Sequence, residues 1–139
     1  MQPHQAFFHE YRMMYRPFIN KLNVYLASHQ LYSSQWAILR LLISEKSLTL
    51  VEISNSLNVE KPTTTRMIQK LIELDYVTTV PGKDKREKKV QLTSFGHDVC
   101  KDVQVTIEQF QLDALEGISV EEQIIVSKVL ETVRNNLLK

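Results

Sequence analysis

TLVEISNSLNVEKPTTTRMIQKLIELDYVTTVPGKDKREKKVQLT, residues 49–93, decides the fold of this chain. It reads in order as short helix, tight turn, second helix, strand, basic loop, strand. Thr49 and Glu52 have the spacing of a capping box, in which hydroxyl and carboxylate each satisfy a free backbone N–H at a helix start. Leu48 and Ile53 flank that cap as a hydrophobic staple. At Leu57-Asn58-Val59 the helix must stop, because Asn accepts the left-handed conformation that a tight turn between crossed helices needs. Ser54 is small enough for the next helix to cross close by. That helix begins near Glu60–Pro62, where proline is tolerated because the first N–H groups lack helical partners. Thr64, Ile68 and Leu71, with Met67, form its inner face. Lys61, Thr63, Thr65, Arg66, Gln69 and Lys70 are left outside. Val77–Val80 and Lys89–Thr93 are β-branched or alternating runs suited to strands, joined by the loop Pro81–Lys88. The whole predicts a helix-turn-helix over about 50–73 and a hairpin wing over about 77–93. One helix of such a unit suits a major groove, and a charged hairpin suits a neighbouring minor groove.

Outside this stretch the chain is helical. Phe7, Tyr11, Met14 (or Tyr15), Phe18, Leu22 and Tyr25 recur at helical spacing, with Pro17 inside the run. An interior proline removes a hydrogen bond and crowds the preceding turn, so a bent helix or a break near Arg16 is expected. A second helix follows Ser33–Ser34 with Trp36, Leu39, Leu42 and Ile43 as its buried stripe. A long helix over Ser94–Glu116 places Cys100 (or Val99), Val103, Ile107, Phe110 and Ala114 on one side. Ser119 and Glu122 form a second capping box, and Ile125, Val129, Val133 and Leu137 stripe the last helix. The terminal helices carry more apolar surface than they can hide by themselves, which calls for a second copy of the chain.

At 139 residues and 43% apolar composition, one domain is expected, with a core that does without disulfides. The single cysteine fits a reducing compartment, no run approaches the ~20 apolar residues of a membrane span, and no signal-peptide pattern opens the chain. A cytoplasmic protein without membrane contact is the expectation. The net charge of +1 hides an asymmetry: residues 60–93 sum to +3, whereas residues 94–139 sum to −4. One face is built for a polyanion and another is kept away from it.

Thr63, Thr64, Thr65 and Arg66 occupy the first turns of the second helix of the pair. Threonine can bond a base edge or phosphate or set its methyl against thymine, and arginine can fork onto guanine or phosphate. Taken alone, threonines near a helix start more often only cap it; within a helix-turn-helix that balance reverses. Thr64 points inward by its spacing to Ile68 and Leu71. Lys83, Lys85, Arg86, Lys88 and Lys89 load the wing. A basic hairpin tip is commonly just a solvated face, but Asp84 lies two residues before Arg86, close enough to brace it.

These residues resemble the MarR family, the multiple-antibiotic-resistance-type regulators. The likeness rests on the Thr-x-x-Glu-Ile helix, on Leu57-Asn58-Val59, and on Thr65-Arg66 followed by Ile68 and Leu71. Its most specific part is Asp84-x-Arg86 leading to Val90-x-Leu92-Thr93-x-x-Gly96. The resemblance covers essentially the whole chain. Asp75 stands where the family usually has glycine, and Ile72 and Leu74 stand at positions that are usually charged. The resemblance implies a mainly helical fold with a small β-hairpin wing, a six-helix winged helix-turn-helix subunit that forms a homodimer. Residues 1–29 and 94–139 would supply the dimerisation helices and residues 30–93 the DNA-binding lobe. It implies binding to double-stranded DNA at a pseudo-palindromic operator, as a repressor released by a small effector. The DNA-binding set is then Lys61, Thr63, Thr65, Arg66, Gln69, Lys70, Lys83, Lys85, Arg86 and Lys88, with Arg86 in the minor groove and Asp84 orienting it. An effector pocket between the dimer helices and the lobe would draw on Phe8, Tyr11, Tyr15, Trp36 and Arg40, although aromatic residues at such places more often serve as core.

Other chemistry finds little support. Relatives that sense peroxide carry a cysteine near the start of the first helix, where this chain has none; Cys100 reads as a buried structural thiol. His4, His9, His29 and His97 lack zinc-type spacing and read as surface or capping residues, so neither metal nor cofactor is expected. Glycine-rich phosphate loops, nucleophile elbows and paired catalytic acids are missing from the sequence, which argues against an enzyme. The alternative from another class is a winged-helix protein-interaction module without DNA binding, and the basic wing argues against it.

Overall fold

A computed structural model describes every residue except Lys85. The elements run α1 (Pro3–Leu26), a 3-10 turn (Ala27–His29), α2 (Ser33–Glu45), β1 (Ser47–Thr49), α3 (Leu50–Leu57), α4 (Lys61–Glu73), β2 (Val77–Pro81), β3 (Lys88–Leu92), α5 (Ser94–Ala114) and α6 (Val120–Leu137). The chain packs as two compact units, Met1–Glu108 and Gln109–Lys139. In the first, α2, α3 and α4 close on a three-stranded antiparallel sheet of order β1-β3-β2. Leu26, Ile38, Leu39, Leu42, Ile53, Leu71, Val77 and Val103 are its fully buried side chains, with Thr64 among them.

Both capping boxes form. Thr49 N–H donates to Glu52 Oε1 at 2.9 Å and Glu52 N–H donates back to Thr49 Oγ1 at 3.2 Å. Ser119 and Glu122 exchange the same pair of bonds at 3.0 and 3.1 Å. Leu48 and Ile53, the staple residues around the first cap, are both buried. The break near Arg16 does not occur: α1 runs unbroken through Pro17.

The sheet departs from the sequence reading. Ser47–Thr49 adds a third strand, pairing Leu48 with Val90 and Thr49 with Lys89. The first hairpin strand starts at Val77 as expected and runs one residue further, to Pro81, and the second is displaced by one residue, to 88–92, with Val77 opposite Leu92 and Pro81 opposite Lys88. Proline is admissible there because β2 is an edge strand and lacks an outer partner for its N–H. In α2 the buried stripe includes Ile38, at 0% exposure, rather than Ile43, at 39%. In α5 Ala114 is exposed, and Ile107 is half-buried. Every residue of the α6 stripe is exposed or half-buried, Ile125, Val129 and Leu137 fully on the outside. The surplus of apolar surface expected of the terminal helices is therefore present.

The two ends of the helix-turn-helix close by the same device. After α3, Val59 N–H reaches Ser54 O at 3.0 Å and Asn58 N–H reaches Asn55 O at 3.3 Å. After α4, Tyr76 N–H reaches Leu71 O at 3.0 Å and Asp75 N–H reaches Ile72 O at 2.9 Å. Each is a Schellman turn, whose pivot must be left-handed; Asn58 sits at φ 53° and Asp75 at φ 62°. Asp75 thus adopts the conformation that glycine takes most readily. Asp75→Gly is expected to raise stability by about 0.5–1 kcal/mol in urea unfolding, by relieving the left-handed strain of a Cβ. Loss of stability instead would mean that the carboxylate itself holds the turn.

Candidate nucleic-acid interface

The outer face of α4 is built from its first two and a half turns. Glu60 caps without a side-chain bond, and Pro62 lies within the first turn. Thr64 turns inward with no exposure, its hydroxyl donating to Glu60 O at 3.1 Å, as its spacing requires. Lys61, Thr65, Arg66, Gln69 and Lys70 are exposed and Thr63 is half-buried. Thr65 donates its hydroxyl proton to Lys61 O at 2.9 Å, which leaves its oxygen lone pairs and methyl facing out. The Arg66 guanidinium donates to Thr63 Oγ1 at 3.4 Å. That bond lays Arg66 along the helix surface and leaves most of its five donors open to an external acceptor.

In the wing, Gly82 N–H donates to Glu87 O at 2.7 Å and Glu87 N–H donates to Asp84 O at 2.9 Å. Asp84 meets Arg86 through the main chain: the Arg86 N–H donates to Asp84 Oδ1 at 3.3 Å. The sequence suggested a carboxylate braced against the guanidinium. The bond seen is to the Arg86 amide and uses one of the two carboxylate oxygens, so Asp84 shapes the turn from which Arg86 projects. Lys83, Arg86 and Lys88 are exposed; Lys85 lies outside the described residues. Lys83, Arg86, Lys88 and Lys89 share a groove with Thr49 and Glu52 at the start of α3. The Glu52 carboxyl is held below its ordinary range, first by the Thr49 N–H, then by the Thr49 hydroxyl, with Lys89 adding to both. Lys89 is half-buried in this groove, whereas Lys83, Arg86 and Lys88 are exposed.

The exit from the wing locks it to the end of α4. Thr93 N–H donates to Tyr76 O at 3.1 Å, and Thr93 Oγ1 donates to Asp75 O at 2.6 Å. Gly96 N–H in turn donates to Thr93 Oγ1 at 2.8 Å, capping α5. Gly96 is buried here, and a Cβ on it would fall 1.9 Å from Tyr76 O. The Thr93-x-x-Gly96 spacing is thus a docking motif for the two ends of the DNA-facing unit.

The remaining candidates separate. Trp36, 5% exposed, belongs to the core, whereas Phe8, Tyr11, Tyr15 and Arg40 lie exposed. Phe8 lines a shallow depression on α1 with His4, Gln5, His9 and Arg12, apart from the other four. Cys100 is buried, and burial pushes its thiol up to about 11, so the reactive thiolate is scarce at neutral pH. His29, read from sequence as a surface or capping residue, is half-buried and bonds Thr106 across 77 residues. No local pattern signals a contact between residues so far apart. Among the described residues no three His, Cys, Asp or Glu side chains gather as metal ligands, and no helix is long and apolar enough to cross a membrane.

Comparison with known proteins gives the same picture. Residues 31–88 match the MarR family. An uncharacterized HTH-type transcriptional regulator of Staphylococcus aureus is 33% identical over 138 residues, which covers 97% of this chain and 94% of that protein. Among solved structures, S. aureus MarR in complex with salicylate and kanamycin superposes with a TM-score of 0.83 at 31% identity, covering 96% of this chain and 91% of the other. A cysteine-to-serine mutant of E. coli MarR complexed with operator DNA shares the fold with a TM-score of 0.78 at 22% identity, covering 92% and 93%. With a basic recognition helix, a basic wing and relatives along its full length, the chain belongs to the MarR family of winged helix-turn-helix transcriptional regulators, which bind DNA.

Proposed function

We propose that this chain is a homodimeric, cytoplasmic regulator that represses transcription from a pseudo-palindromic operator and is released by a small effector. The observation that carries the reading is the shared exposure of two basic elements. Lys61, Arg66, Gln69 and Lys70 on α4 and Lys83, Arg86 and Lys88 on the wing all face outward, while the apolar side of each element is buried. Phosphate contacts from such cations fix register, and the threonines and Arg66 are placed to read base edges. Exposed Phe7, Phe8, Tyr11, Met14 and Phe18 on α1 and Ile125, Val129 and Leu137 on α6 support dimerisation by residues 1–29 and 94–139. Two copies would set recognition helices roughly 34 Å apart, one turn of duplex. For the effector, support comes from the salicylate held by the S. aureus protein; here Phe8, Tyr11, Tyr15 and Arg40 are open to solvent, and Trp36 is a core residue.

The test is selection of bound duplexes from random DNA, followed by titration of the selected site at rising salt. A two-fold symmetric site is expected, with affinity falling steeply as salt rises because each neutralised phosphate releases counterions. Flat salt dependence, or no selected site, would favour the protein-interaction module instead.

A further inference from the structure

We infer that Tyr76, His29 and Thr106 form a hydrogen-bonded linkage that positions the recognition helix relative to α1 and α5, and so sets which half-site spacing the protein accepts. The inference rests on the dimeric DNA-binding reading above. Tyr76 is the residue that closes the turn after α4, and it is 5% exposed. Its hydroxyl donates to the carbonyl of His29 at 2.7 Å, and its ring lies 5.7 Å from that of Phe95 on α5. The His29 imidazole then bonds Thr106 Oγ1 at 2.7 Å through Nε2. Thr106 Oγ1 also reaches Asp102 O at 3.3 Å; with its proton given there His29 Nε2–H is the donor, and in the other tautomer the hydroxyl donates to Nε2. One residue thereby holds the end of α4 with its backbone and the body of α5 with its side chain.

His29 is itself held. Its 3-10 turn ends at Gln30, which is left-handed at φ 61°. Gln30 N–H bonds Ala27 O at 3.0 Å, and Leu31 N–H bonds Leu26 O at 3.3 Å, tying the turn to the end of α1. The start of α5 is already fixed to the end of α4 by Thr93. Thr106 lies about 18 Å further along α5, at 1.5 Å per residue. Two attachments that far apart fix an angle, which one attachment does not. Apolar packing alone would hold α5 near the lobe, but hydrogen bonds at 2.7 Å define a length and a direction. Removing a link should therefore loosen the placement of α4 more than it lowers stability.

The experiment uses the full chain and the duplex selected above, in its native form and with one base pair inserted between the half-sites. Tyr76→Phe and Thr106→Val remove one hydroxyl each with little change in shape. Each is expected to narrow the wild-type preference for native spacing by about five-fold, the effect of one lost hydrogen bond. Discrimination against a substituted base within a half-site should stay as in wild type, since no base-reading residue is touched. His29→Ala should behave like Thr106→Val, whereas His29→Gln, which keeps an N–H donor at Nε2, should retain the spacing preference. Thermal melting distinguishes a folding defect, and Thr106→Val on half-exposed α5 gives a second variant should Tyr76→Phe fold poorly. Equal weakening on both duplexes, or an unmoved spacing ratio in folded variants, overturns the linkage alone. A wild type that prefers neither duplex overturns the regulator reading, and this inference with it.

Discussion

Gly96→Ala is expected to destabilise the protein by about 3 kcal/mol or more, the upper range for forcing atoms into a filled site. The added Cβ would lie 1.9 Å from Tyr76 O and 2.9 Å from Tyr76 C, both backbone atoms. A side-chain obstacle could rotate away, but this one moves only if α5 moves. Such a shift would pull Thr93 from Tyr76 O and Asp75 O, and Phe95 from the Tyr76 ring. Domains of this size have only about 5–15 kcal/mol of total stability, so the melting temperature should drop by about 10 °C. Gly117→Ala is the control: its φ of +82° imposes strain, but nothing lies within 4 Å of the added carbon. It should cost about 1 kcal/mol, the left-handed penalty alone. Denaturant unfolding of the two variants measures both. A Gly96→Ala protein within about 0.5 kcal/mol of wild type would mean that α5 and the end of α4 are not rigidly docked.

Local rules made much of this architecture legible. Capping boxes involve residues three apart, and left-handed pivots involve single residues, so Thr49, Ser119 and Asn58 announce themselves in the sequence. The inner and outer faces of α4 follow from periodicity alone, including the inward turn of Thr64. What escaped depends on contacts distant in sequence. Ser47-Leu48-Thr49 is too short to read as a strand until β3 comes to lie beside it. Burial of Ile38 in place of Ile43 reflects which face of α2 meets α3, α4 and the sheet, a choice that periodicity leaves open between adjacent stripes. His29 shows no motif because both of its partners lie elsewhere, 47 and 77 residues away. At the wing, composition identified the cations, but the Asp84 bond to the Arg86 amide depended on the turn, which composition does not show.

Arg86→Ala is expected to weaken operator binding by about 1–3 kcal/mol while leaving the fold and dimer unchanged. Arg86 is exposed and reaches from a turn that, among the described residues, is held by main-chain bonds and by the Asp84 carboxylate, so truncating its side chain leaves those bonds in place. In a narrow minor groove its charge would meet an enhanced negative potential, which a solvated lysine at the start of β3 would not. The loss should therefore exceed that of Lys88→Ala, and the salt dependence should become shallower by about one counterion. Asp84 supplies the matching check on the turn. Asp84→Asn keeps an oxygen for the Arg86 N–H and should bind nearly as wild type, whereas Asp84→Ala frees the turn and should give part of the Arg86→Ala loss. Titration of each variant against the selected duplex by fluorescence anisotropy at two salt concentrations reads both quantities. Wild-type affinity in Arg86→Ala would remove the wing from the interface and leave α4 to bind alone. Equal losses in Asp84→Asn and Asp84→Ala would show that the carboxylate acts by its charge, with the hydrogen bond to the Arg86 amide incidental.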